Sequence, residues 1–157
     1  MAGLLAPGPA AARDPSLFQE ALRTRKFVPL NRFAGETGLL SQGKVRLVFV
    51  WASWCPTCLQ AATNLNRELD SWYDLNVRVY GISVDEKLEL AQKSLKVNGT
   101  RIPTWYAGAD MLKLLKMQIY PTFFVLDANN RIRSVYAGYS GEKGISLRKR
   151  LHRLLAE

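Results

Sequence analysis

Apolar positions along the chain change their period several times, and each change marks an element. Residues 45–51 (Val-Arg-Leu-Val-Phe-Val-Trp), entered through Gly43, are rich in β-branched and aromatic side chains and read as a strand buried on both faces. From Cys55 the spacing turns helical. Cys58, Ala62, Leu65, Leu69 and Trp72 fall on one stripe, and Pro56 suits the first helical turn, where its missing N–H leaves no bond unmade. Residues 75–84 read as a second strand. Asp85 is then expected to cap a helix over 86–97, with Leu88, Ala91 and Leu95 on one side.

Before this block, residues 17–25 predict a short helix, and 26–30 lead into a turn-rich stretch that ends at Gln42. After it come a short extended piece following Pro103, a short helix over 110–116 and a strand over 122–127. Ala128-Asn129-Asn130 is a tight turn, because Asn tolerates positive φ, and 131–137 return as an antiparallel strand. A last helix carries Leu147, Leu151, Leu154 and Leu155 inward, with Arg148, Lys149, Arg150 and Arg153 mostly outward. No segment repeats. Helices alternating with strands and closing on a hairpin predict an α/β fold, a central mixed β-sheet with helices on both faces.

The length of 157 residues suits one domain, expected over 26–157, preceded by an extension over 1–25 whose first 15 or so residues are Ala-, Gly- and Pro-rich and offer little to bury. Apolar residues make up 48% and charged residues 22%, ordinary values for a globular fold. Lys and Arg outnumber Asp and Glu by 22 to 13, a formal charge of +9. Those cations are scattered from Arg13 to Arg153, with no basic run interleaved with aromatics, so a solvated basic surface is favoured and nucleic acid is not expected as a partner. No apolar run reaches the ~18 residues of a membrane span. Residues 1–12 are apolar but interrupted by Pro7 and Pro9, with no basic stretch ahead, and do not read as a complete secretory signal.

Chemistry concentrates at Trp51-Ala52-Ser53-Trp54-Cys55-Pro56-Thr57-Cys58. The chain has two cysteines, both here, too close in sequence to staple a fold. Between a buried strand and a helix, the first cysteine meets unpaired N–H groups and the positive end of the helix dipole, which favour a thiolate. Cysteines in such motifs have pKa values of roughly 3.5–7.5, against about 8.5 for a free thiol. Cys55 is thus the expected attacking thiol, and Cys58, one turn in and facing the core, the resolving one. Structural zinc is not expected, since a second ligand pair is missing and the one histidine, His152, lies in the last helix and reads as solvent-facing. No cofactor is called for.

With these residues in view, the chain resembles the thioredoxin superfamily, and within it the TlpA/ResA/DsbE (CcmG) group of extracytoplasmic thiol–disulfide oxidoreductases. The resemblance runs from about Lys26 to Leu155. It rests on Gln42-Gly43-Lys44-Val45 entering the central strand, on Cys55-Pro56-Thr57-Cys58, and on Ile119-Tyr120-Pro121-Thr122-Phe123-Phe124-Val125-Leu126-Asp127. It implies a thioredoxin-like fold in which Pro121 is cis beside the dithiol and the Tyr120 backbone, with Pro121 and Thr122, docks a substrate strand. Trp54, Pro56 and Thr57 would flank the thiols, with Trp54 shielding them and Trp51 plain core. It further implies protein thiol and disulfide substrates, a redox partner protein, a periplasmic home and room for a membrane anchor upstream. The sequence departs from the group at three places: Phe49 stands where thioredoxin carries a buried acid, Ala61 and Ala62 where many members carry a glutamate, and Thr122 where the DsbE type has a glutamate after the proline.

The function expected is therefore exchange of a dithiol for a disulfide with protein substrates, as a reductase in an oxidising compartment. Oxidase or isomerase activity is the alternative in direction. Two other classes stay open at this point: a Cu(I) carrier, for which no third ligand is visible near the loop, and a binding module presenting the loop around Pro121.

Overall fold

The structure, a computed structural model, describes residues 15–117 and 120–157. The extension's first residues and Ile119 lie outside them. The helix expected near the start is α1 (Pro15–Thr24). It is followed by a two-residue strand β1 (Val28–Pro29) and a helix α2 (Arg32–Thr37). Then come β2 (Val45–Trp51), α3 (Pro56–Asp74), β3 (Val77–Ser83), α4 (Leu88–Asn98) and β4 (Thr104–Tyr106). The chain ends with α5 (Asp110–Leu115), the hairpin β5 (Thr122–Asp127) and β6 (Ile132–Ala137), and α6 (Gly141–Leu155).

One mixed sheet runs in the order β1-β4-β3-β2-β5-β6. Strand β2 sits inside it, parallel to β3 and antiparallel to β5, and every residue of β2 is buried. Alternation along the strands sorts two cores. Leu47, Phe49 and Trp51 of β2, with Val79 of β3 and Phe123 of β5, face Leu65 and Leu69 of α3 and Leu147 and Leu151 of α6. Val48, Val50, Tyr80, Ile82 and Phe124 face the other way, toward Phe18 of α1, Ala34 of α2 and Met111 of α5. Helices thus cover both faces, the expected α/β arrangement.

Three local readings need correction, at Asp85, Ala62 and Arg150. Asp85 does not cap α4; the N-cap is Lys87, which makes no side-chain cap bond, and Asp85 is fully buried instead. In α3 the stripe takes Ala61 inward, while Ala62 is half-buried. Arg46 breaks the apolar run of β2 yet is buried, its guanidinium donating to the carbonyls of Leu40 and Gly43 and to Asn130 Oδ1. Arg150 folds back from the outer face of α6, its Nε donating to Ser134 Oγ at 2.6 Å. The hairpin turn is as read, with Asn130 at φ 61°.

Candidate active site

The sheet's topology brings two loops to one end. The dithiol follows the C-terminal end of β2, whereas Tyr120 and Pro121 precede the N-terminal end of β5. Because these strands are antiparallel neighbours, with Val50 opposite Thr122, both loops leave the sheet side by side. Pro121 is buried, its peptide bond with Tyr120 is cis, and its carbonyl accepts from Gly138 N–H at 2.7 Å. Pro103 is buried at the start of β4 and has an ordinary trans bond.

Cys55 and Cys58 are joined as a disulfide, with Cα atoms 5.2 Å apart. Cys55 is the N-cap of α3, extended at φ −100° and ψ 104°, and its Sγ accepts the Cys58 N–H at 3.1 Å. One orphan donor of the helix terminus is therefore already aimed at the sulfur on which charge develops when the bond is reduced. Cys55 is 5% exposed and Cys58 0%. Of the two, Cys55 alone keeps any exposed surface.

Trp54, expected to shield the thiols, is 58% exposed. Its ring instead stands edge-on to Tyr120, centroids 5.1 Å apart, and so links the two loops. Tyr120 is half-buried, and that burial raises its phenol pKa. Pro56 is exposed at the first turn of α3, Thr57 half-buried and Thr122 buried. Trp51 is core, at 4% exposure. Phe49 stacks on Phe123 at 5.4 Å, so the position of thioredoxin's buried acid is filled by aromatic packing. His152 is exposed and leans on Trp72, away from the dithiol's helix end.

A group that the sequence reading missed lies beneath the loop. Asp85 accepts from Ser53 N–H at 2.9 Å, from Ser53 Oγ at 2.7 Å and from Ser83 Oγ at 2.8 Å. Its signal in the sequence was ambiguous, since an Asp ahead of a periodic apolar run also marks a helix cap.

Comparison with known proteins agrees with this geometry. The profile of the AhpC/TSA family matches residues 35–135. The thiol:disulfide interchange protein DsbE of Escherichia coli is 32% identical over 105 residues, 66% of this chain and 55% of that protein, so the chain spans about half the length of this relative. The DsbE of Yersinia pestis is 30% identical over 140 residues, covering 82% of this chain and 71% of its own. Among solved structures, a Chlorobium tepidum protein named as a DsbE superposes with a TM-score of 0.70 at 19% identity, covering 96% of this chain and 99% of that one. StoA of Bacillus subtilis gives 0.56 at 17% identity, over 67% of this chain and 81% of its own. The structural likenesses establish the fold, the family profile and the sequence relatives the kinship, and the chain belongs to the AhpC/TSA family of thioredoxin-like proteins.

Proposed function

We propose that this chain exchanges its Cys55–Cys58 pair with disulfides of other proteins, as a reductase in an oxidising, extracytoplasmic compartment. The observation that carries the reading is the asymmetry of the pair: Cys55 caps α3 and keeps a small exposed edge, and Cys58 is sealed beneath it. Relatives named for thiol:disulfide interchange support it.

The Cys55 thiolate attacks one sulfur of a substrate disulfide. A bond forms between Cys55 Sγ and that sulfur, the substrate's S–S bond breaks, and its other sulfur leaves as a thiolate that takes up a proton. The Cys58 thiolate then attacks Cys55 Sγ, restores the disulfide found in the structure and releases the second substrate thiolate. Two electrons have passed to the substrate, so a redox partner protein with a dithiol is needed to reset the pair. Tyr120, Pro121 and Thr122 are proposed to dock the substrate strand, with Trp54, Pro56 and Thr57 forming the flank. A metal-carrier role finds no support in the donor set, because among the described residues no three His, Cys, Asp or Glu side chains gather at one place.

The test is a pair of variants. Cys58→Ser is expected to accumulate a mixed disulfide with protein substrates, visible as a thiol-sensitive mass increase, whereas Cys55→Ser forms none and loses exchange. Full exchange by Cys55→Ser would remove the reading.

A further inference from the structure

Asp85 is a fully buried carboxylate whose recorded donors, Ser53 N–H, Ser53 Oγ and Ser83 Oγ, are all neutral. Burying an anion without a cation beside it is costly, and such a group persists where its bonds hold something in place. Helix capping is not that purpose, since α4 begins at Lys87 with no side-chain cap bond. The register explains what Asp85 holds. Strands β2 and β3 run parallel with Trp51 opposite Ser83, so two residues further on Ser53 lies beside Asp85. Ser53 is the second residue of the turn closed by Cys55 N–H donating to the Ala52 carbonyl at 3.2 Å. Trp54 is the third, and Cys55 follows as the N-cap of α3.

We infer that Asp85 is a positioning residue for the dithiol: its carboxylate clamps Ser53 by backbone and side chain, and so fixes the turn that presents Cys55 Sγ to the helix N-terminus. The inference rests on the exchange reading above. The clamp uses both oxygens. Oδ1 accepts from the Ser53 N–H and Oγ, and Oδ2 from Ser83 Oγ, which also accepts the Asp85 N–H at 3.2 Å. An asparagine keeps one oxygen for Ser53 but offers an N–H pair toward Ser83, and an alanine keeps neither bond.

The measurement is the equilibrium constant of the Cys55–Cys58 pair with glutathione, together with the rate of insulin disulfide reduction, in the wild type, Asp85→Asn and Asp85→Ala. Circular dichroism establishes that each variant is folded at the working temperature. Asp85→Ala is expected to move the constant and slow the rate by about tenfold each, the scale of a lost hydrogen bond to a charged group, with Asp85→Asn recovering part of both. If Asp85→Ala does not fold, Asp85→Asn decides by the same two readouts. Folded variants within twofold of the wild type on both, whatever their melting temperatures, overturn the positioning role and leave the exchange reading standing. A wild type that reduces no disulfide would remove the exchange reading instead.

Discussion

Trp54 meets Tyr120 edge to face at 5.1 Å, so the turn before the dithiol and the residue before Pro121 touch through their side chains. More than half of Trp54 remains open to solvent beside a Cys55 that is almost closed off. A substrate strand that reaches Cys55 must pass this ring. Replacing Trp54 or Tyr120 by alanine removes an aromatic pair worth ~0.5–1.5 kcal/mol. Either variant is expected to raise the KM for a protein disulfide by about two- to tenfold, by the same energy, with a smaller rise for oxidised glutathione. Equal changes for both substrates would mean that the pair acts on the thiols and not on the docking strand.

Helix α1 is stitched to the sheet by Phe18, which is fully buried and stacks on Phe124 with centroids 3.9 Å apart. Gln19 adds a bond to the Asn130 carbonyl at 2.5 Å. Phe18→Ala is expected to cost about 3–5 kcal/mol in urea unfolding, the range for a deleted core phenylalanine. A loss below ~1 kcal/mol would support a domain that begins at residue 26 and treats α1 as an appendage.

Strand β2 was legible because its apolar run has one physical solution, burial on both faces, and α3 because its stripe begins at a Pro-containing first turn. Helix α2 was not. It has six residues with Gly35 among them, too short for a periodic signal, although Asn31 is a readable N-cap whose Oδ1 accepts from Ala34 N–H at 3.0 Å. The unread partners of Arg46 and the misread role of Asp85 share a reason. The partners of these two residues, Asn130 and Ser53, lie 84 and 32 residues away, and only the strand register brings them together. The exposure of Trp54 was equally hidden, since it depends on where the loop of Tyr120 arrives.

Tyr80 offers a pH handle on the fold. Its hydroxyl donates to the Gln42 carbonyl at 2.8 Å and accepts the Gln42 N–H at 3.0 Å, which ties the loop before β2 to β3. Burial raises its pKa above 10.0, so the folded state holds the phenol proton more tightly than the unfolded chain does. That contribution is fully present below the unfolded value and is lost as pH rises through the folded one. Stability is therefore expected to fall above about pH 10. Tyr80→Phe should cost ~1 kcal/mol at pH 7 and flatten the alkaline decline, without abolishing it, because burial also raises Tyr73. An unchanged alkaline slope in this variant would assign the decline to other groups.

The direction of electron flow is settled by the reduction potential of the Cys55–Cys58 pair. A reductase must hold its electrons weakly relative to its substrates, which places the pair toward thioredoxin's value of about −270 mV; an oxidant lies toward −120 mV, and 30 mV corresponds to about 1.4 kcal/mol. One structural feature bears on this balance. The Cys58 N–H bonded to Cys55 Sγ stabilises the reduced thiolate and raises the potential. A second feature, Phe49 buried in the place of thioredoxin's acid, leaves the pair without that proton-transfer aid. Equilibration with glutathione buffers, followed by alkylation of free thiols, is expected to give a potential below about −200 mV, within reach of a dithiol donor. A value near −120 mV would make the chain a donor of disulfides, and Cys55 would then pass its bond to substrate thiols by the reverse of the steps above.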